Sequence, residues 1–174
     1  MQTYKHLLHL VVPVAILLTT YPKQTSASNN QELEVGLINV MKLDKQTMKR
    51  GGDSGKAIQK YMRDGFVNRK PNRRFDYTDY YLIKKPTKFM GHELMLIEEE
   101  YMSSYVGCCV SPGVGVTVKV AGNTKDLVLF AESNRCTFSE RVDLQELLHS
   151  LGIKTAVPRA NYVSLSCRAR DADQ

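Results

Sequence analysis

Histidine is scarce in this chain, and the residues that would build a catalytic site around it are missing. Four histidines occur in 174 residues, and His6 and His9 lie within the first ten. No serine stands in a Gly-x-Ser-x-Gly context, which excludes the nucleophile elbow of a hydrolase and leaves no triad to propose. Gly51-Gly52 and Gly113-Val114-Gly115 lack the spacing of a phosphate-binding loop. Cys108-Cys109 is not Cys-x-x-Cys and no βαβ pattern surrounds it, so it offers only weak support for a redox-active pair. The four cysteines are too unevenly spaced for a zinc site. No internal repeat or low-complexity segment occurs. The apolar run Leu7 to Leu18 is too short for an ordinary membrane span.

That run has a different meaning. Met1 to His6 holds Lys5 and no acid, the apolar run follows, and Thr25-Ser26-Ala27 supplies small residues. This is the pattern of a cleaved secretory leader. Residues 1–27 are therefore expected to be a signal peptide, and 28–174 a single exported domain, large enough to bury a core without staples. The expected location is the periplasm, or the medium outside the cell. Lys5 and Lys23 fall in the leader, so the remainder keeps a net charge of +4.

Cys108, Cys109, Cys136 and Cys167 all lie in the exported part, where oxidising conditions favour disulfides. A bond between the neighbours Cys108 and Cys109 is sterically awkward. Adjacent strand residues point to opposite faces, so each is expected to find its own partner. One would bond Cys136 and the other Cys167, in an order the sequence leaves open.

The segment organising the chain is Tyr101 to Val120. Ser111-Pro112-Gly113 predicts a turn, because proline presets φ and glycine accepts a positive φ. Val114, Val116, Val118 and Val120 alternate with Gly115, Thr117 and Lys119, which predicts a half-buried strand with Lys119 outward. Gly107 to Val110 predicts the strand before it. Elsewhere, 29–34 is expected to be polar and flexible, and Glu34 to Met41 a strand. A helix is predicted over about 53–66, capped by Asp53 or Ser54, with Ala57, Ile58, Tyr61, Met62 and Phe66 on one face. Tyr77 to Lys85, ended by Pro86, and Phe89 to Glu99 read as strands of a meander. Gly122-Asn123 reads as a turn and Asp126 to Ala131 as a further strand. A second helix, about 143–151, carries Asp143 and Glu146 as a capping box, Val142 and Leu147 as a staple, and Gly152 as its C-terminal cap. Tyr162 to Arg168 is the last strand and Asp171 to Gln174 a tail. The expected class is α+β: a mainly antiparallel sheet or small OB-like barrel with two helices.

Charge is unevenly spread. Lys42 to Arg74 holds eleven Lys or Arg and three acids, a balance of +8, against −4 for the rest of the exported part. Such separation focuses a positive field. Arg69, Lys70, Arg73 and Arg74, flanked by Phe66, Phe75 and Tyr77, are the candidates for binding an anionic partner. That partner would be an acidic protein, an anionic envelope polymer or a phospholipid surface, and the compartment excludes nucleic acid. The bland alternative is a solvated face that keeps the protein soluble. His92 with Met90 and Met95 offers weak soft-metal ligands. Glu98-Glu99-Glu100 reads as a solvated strand end rather than an acid–base pair. No cofactor is expected.

Tyr105-Val106-Gly107-Cys108-Cys109-Val110-Ser111-Pro112, within Tyr101 to Val120, resembles a segment of certain small exported bacterial proteins. Their pattern runs Tyr-x-Gly-Ala-Cys-Ile-His, then a proline run, then a β-strand, and Phe89 to Glu100 resembles the strand preceding it. Here no His follows Cys109, and one proline stands in place of the run. The resemblance implies an OB-like barrel in the bacterial envelope and transfers no activity. Together these features favour a non-catalytic exported binding or accessory protein. The competing class is a thiol- or metal-dependent envelope protein or enzyme centred on Cys108, Cys109 and His92. N-terminal sequencing of the protein from its producing cell is expected to begin at Ser28, and a mature chain beginning at Met1 would overturn the leader.

Overall fold

The structure is a computed structural model that describes residues 26–102 and 111–172. It opens with a helix, α1, over Ser26–Met41. Here the expectation of a strand at Glu34 to Met41, after a flexible 29–34, is corrected. Leu33, Leu37, Val40 and Met41 recur three to four residues apart and are buried together, so the period is helical. A small hairpin follows, β1 (Leu43–Asp44) against β2 (Lys49–Arg50). Helix α2, Ser54–Arg63, is capped by the Asp53 side chain, which accepts from Lys56 N–H at 3.0 Å. It ends at Gly65, whose φ of +72° lets Phe66 N–H reach Tyr61 carbonyl at 2.8 Å.

The strands are β3 (Arg73–Phe75), β4 (Thr78–Leu82), β5 (Lys88–Phe89), β6 (His92–Glu100), β7 (Gly113–Lys119), β8 (Thr137–Ser139) and β9 (Tyr162–Arg168). They form one seven-stranded sheet in the order β3-β4-β6-β7-β9-β8, with β5 beside β6 and every pairing antiparallel. Its outer strands β3 and β8 do not pair with each other, so of the two architectures expected the protein has the open sheet. Helix α3 (Lys125–Asn134) replaces the strand expected at Asp126 to Ala131. Leu127 and Ala131, four apart, are its buried residues, a helical spacing hidden inside an apolar run. Helix α4 (Leu144–Ser150) has Asp143 accepting from Glu146 N–H at 2.9 Å, and Gly152 at φ +73° beyond its end. A last turn, α5 (Ala169–Ala172), stands where a tail was expected. Asp171 is buried because its carboxylate accepts from Arg168 N–H, Ser166 and Thr137.

The sheet has two unlike faces. On one, Val114, Val116, Val118, Val163, Leu165, Ile97 and Tyr81 pack under α1, α2 and α3. On the other, Leu82, Leu96 and Tyr162 pack with Leu144, Leu148, Leu151 and Ile153 of α4 and its exit. Where helices meet the sheet end, the half-buried Arg50 guanidinium donates to the carbonyls of Met41, Asn134, Arg135 and Arg168. It thereby satisfies carbonyls at the ends of α1 and α3 that no helical partner can reach.

The expected turn at Ser111-Pro112-Gly113 is also corrected. No turn is formed at 111–113: Ala169 N–H donates to Pro112 carbonyl just before β7 begins, although Gly113 does take the positive φ expected of it, 145°. Gly113 is required by close approach: a β-carbon there would lie 2.5 Å from Cys167 carbonyl oxygen. The strand expected at Gly107 to Val110, with Cys108 and Cys109, lies outside the described residues. The β3–β4 turn is unusual in another way. Asp76 (φ 46°) and Tyr77 (φ 62°) fill its two central positions, where glycine would be at ease. Holding an L-residue in that region costs roughly 1–2 kcal/mol.

The cysteine pairing differs from expectation. Cys136 and Cys167 are bonded to each other, with Cα atoms 4.5 Å apart. The register of β8 on β9 explains it, because Thr137 faces Ser166 and the preceding Cys136 therefore arrives at Cys167. The bridge joins residues 31 apart in sequence. Removing it by Cys136→Ser with Cys167→Ser is expected to cost about 3–4 kcal/mol in the chain-entropy account. Urea unfolding of wild type and variant checks this, and a loss below about 1 kcal/mol would show that packing alone holds β8 to β9.

Candidate functional site

Three of the residues proposed from sequence stand free at one sheet edge. Arg69 and Lys70 lie in the exposed loop after α2, and Arg73 is the first residue of the exposed strand β3. None has an ion-pair partner among the described residues. Arg74 is different. Its Nε and Nη2 reach Asp79 Oδ1 and Oδ2 at 2.5 and 2.6 Å, and its guanidinium carbon stands 4.4 Å from the Tyr101 ring centre. The Asp79 side chain is only 4 % exposed, so Arg74 serves as its counter-charge.

The rest of the basic segment disperses. Lys60 pairs with Glu32, Lys56 lies 3.6 Å from Asp53, and Arg50 is the carbonyl clasp described above. Lys42, Lys45, Lys49 and Arg63 are exposed without an ion-pair partner among the described residues. The free charge is therefore spread over the β1–β2 hairpin and α2 as well as the edge carrying Arg69, Lys70 and Arg73, and only the last group lies in sequence next to exposed aromatic residues. Beside it, Phe75 is 56 % exposed, Tyr77 46 % and Tyr101 40 %. Tyr101 N–H donates to Tyr77 carbonyl, so these aromatics gather at the tip of the β3–β4 hairpin. Phe66, expected among the flanking aromatics, is buried instead and carries the Lys85 ammonium 5.4 Å from its ring centre.

The triple glutamate is not a solvated strand end. Glu99 and Glu100 are buried, and the Glu98 side chain is 17 % exposed. Arg168 Nη2 donates to Glu98 Oε2 at 2.8 Å, and its Nε lies 3.1 Å from Glu100 Oε2. Ser111 N–H donates to the other Glu100 oxygen, and Arg170 stands 3.7 Å away. The balancing charges come from β9 and α5, seventy residues away, beyond the reach of local pattern. A cleft of about 180 Å³ opens over this network, walled by Phe75, Tyr80 and Arg170. A larger one, about 610 Å³, lies between the start of α4 and residues 157–161, but its Asp143 is committed to the helix cap and Gln145 to the loop. Neither gathers an acid, a base and a nucleophile.

His92 is buried, and its Nδ1 accepts from Ala121 N–H at 3.0 Å. It buttresses the exit of β7, and among the described residues no group of three or more His, Cys, Asp or Glu is placed to hold a metal. Nor is any helix among them long and apolar enough to cross a membrane. Cys108 and Cys109 lie outside the described residues, and Cys136 and Cys167 are bonded to each other. No family model, no curated protein and no solved structure matches the chain.

On the helix side of the hairpin root, Glu99 accepts from Ser54 hydroxyl at 2.8 Å and stands opposite Asp79 in the ladder. Burial pushes its carboxyl above the ordinary 4.5, the Ser54 bond opposes this, and the Asp79 charge adds to it. The folded state therefore holds this proton more tightly than the unfolded state. Its contribution is most favourable at low pH and declines as pH rises from about 4.5 through the folded value. Glu99→Gln is expected to match or exceed wild-type stability at neutral pH and to flatten the decline above pH 4.5, read from urea midpoints across pH. A variant clearly weaker than wild type at neutral pH would show that the charged form is needed.

Proposed function

We propose that this chain is an exported, non-catalytic binding or accessory protein, periplasmic or secreted, whose β3 edge meets an anionic partner. One observation carries the reading. Arg69, Lys70 and Arg73 are exposed beside Phe75 and Tyr77, with no carboxylate among the described residues paired to them. Cations held in water next to aromatic surface combine long-range attraction with desolvated contact. The leader pattern supports export, and the Cys136–Cys167 bond fits an oxidising compartment. The resemblance of Tyr101 to Val120 to exported bacterial proteins points the same way.

Arg74 does not belong in the test, because reversing it would strand the buried Asp79. The variant is Arg69→Glu, Lys70→Glu and Arg73→Glu, with folding confirmed by circular dichroism. Partner recovered from envelope extracts is expected to fall at least about tenfold at physiological salt. Wild-type recovery should itself decline as ionic strength rises and the screening length drops below about 8 Å. Equal recovery by variant and wild type would reduce the edge to a solubilising surface.

A further inference from the structure

We infer that the anionic partner is a phospholipid surface, and that the tip of the β3–β4 hairpin enters it. This rests on the anionic-partner reading and narrows it to one class of ligand. Three observations favour a bilayer over an acidic protein.

The first is shape. Phe75, Asp76 and Tyr77 sit at a two-residue turn at the outer edge of the sheet, with Phe75 and Tyr77 half exposed. Phe75 also walls the small cleft over Glu98 and Glu100, yet about half of its surface and of that of Tyr77 stays open, and rings exposed at a tight turn suit a deformable phase. Tyrosine places its ring at the apolar boundary and its hydroxyl in the headgroup layer. The second is depth. Arg73 stands two residues behind Phe75 on the same side of the strand, a setback of about 7 Å. Interfacial elements bury their apolar parts by about 5–10 Å, which puts Arg73 among the phosphates when the rings enter the acyl boundary. Arg69 and Lys70, farther back, stay in water above an anionic surface and still feel its field. Asp76 opposes this attraction, and the three cations outnumber it.

The third is backbone conformation. Tyr77 occupies the left-handed region at φ 62°, a conformation unfavourable for a bulky residue. The ring is half exposed, so little packing in the folded chain compensates it. Conformations of this kind collect where a side chain is held out for contact.

The chain contains no tryptophan, so one introduced at the tip is a lone reporter. The probe is the exported protein carrying Tyr77→Trp, with Leu129→Trp on the exposed side of α3 as the control. Vesicles are phosphatidylcholine alone or mixed with phosphatidylglycerol, with acyl-chain-brominated lipid as quencher. The tip tryptophan is expected to shift to the blue and be quenched on the anionic vesicles only, while the control keeps its aqueous emission. Phe75→Trp gives the same reading if Tyr77→Trp disturbs the turn. Replacing Arg69, Lys70 and Arg73 by Gln in this background should weaken vesicle affinity about 100-fold. In the native chain, Tyr77→Gly should raise the unfolding midpoint and yet bind vesicles less.

A tip tryptophan that keeps its aqueous emission on anionic vesicles overturns the inference, as does quenching of tip and control alike, which would place the contact elsewhere. If vesicles fail while charge reversal still abolishes capture from envelope extracts, the partner is an acidic protein or polymer. The lipid inference then falls and the anionic-partner reading stands. If both fail, the edge has no anionic partner.

Discussion

Arg168 reaches across β7 to two carboxylates on β6, and this one span sets the character of the sheet. Its guanidinium is nine-tenths buried, with Glu98 Oε2 at 2.8 Å and Glu100 Oε2 at 3.1 Å. The route is open because β7 offers glycine at both crossing positions. Gly113 stands between Arg168 and Glu100 in the register, and Gly115 between Ser166 and Glu98. A β-carbon on Gly115 would meet the Glu98 side chain at 3.4 to 3.6 Å, and one on Gly113 would collide with Cys167 and Arg168 backbone. The alternation in Gly113 to Lys119 therefore serves both faces at once. Valines build the core on one side, and glycines leave a trough for an arginine on the other. Such a network adds little net stability over an apolar replacement, but losing one member leaves a buried charge unpaired.

That arrangement fixes where charge can remain free. Burying Glu98, Glu100 and Asp79 at one end of the sheet demands neutralising donors, and Arg168, Arg170 and Arg74 supply them, while Glu99 accepts from Ser54 and Asp171 from the Arg168 backbone N–H, Ser166 and Thr137. Lys60 and Lys56 are engaged on α2, and Arg50 is spent on carbonyls. What is left unpaired in the basic segment falls into two groups, Lys42, Lys45, Lys49 and Arg63 around the β1–β2 hairpin and α2, and Arg69, Lys70 and Arg73 at and before the edge strand. Short, charged, strongly turned edges also discourage pairing with other strands. A three-residue β3 rich in arginine thus protects the sheet edge while displaying cations, so on the proposed function the same residues would serve both the fold and recognition.

How much of this was legible depended on the range of the interactions. The strand Tyr162 to Arg168, the Asp53 and Asp143 caps and the Gly152 stop are local patterns, and they appear where the residues indicate. The strand expected from Glu34 to Met41 became part of α1 because a short apolar run shows both periods, and only packing of Leu33 and Leu37 against the sheet decides between them. Leu127 and Ala131 repeat that lesson in α3. The cysteine pairing failed for a different reason. The neighbours Cys108 and Cys109 suggest separate partners, whereas the bond follows from β8 lying on β9 in a register that no short window contains. For the site, the residue types were visible but their commitments were not. Arg74 and Arg73 are adjacent in sequence, and only the fold shows that one holds Asp79 while the other is free.

A surface of three cations and a few aromatic rings also has a definite strength. Each basic residue near an anionic surface contributes on the order of 1 kcal/mol, and a single shallow apolar anchor holds only marginally. Attachment through the β3–β4 tip alone would therefore be reversible and sensitive to salt. The apolar run Leu7 to Leu18 could hold the chain at a membrane more firmly, but a cleaved leader removes it. On that reading, processing converts a chain held by its N-terminus into one that samples surfaces through the hairpin. The conformation of Tyr77 then has a use. A ring kept outward in the free protein need not be reorganised at each encounter, so part of the ordering cost of binding is met during folding.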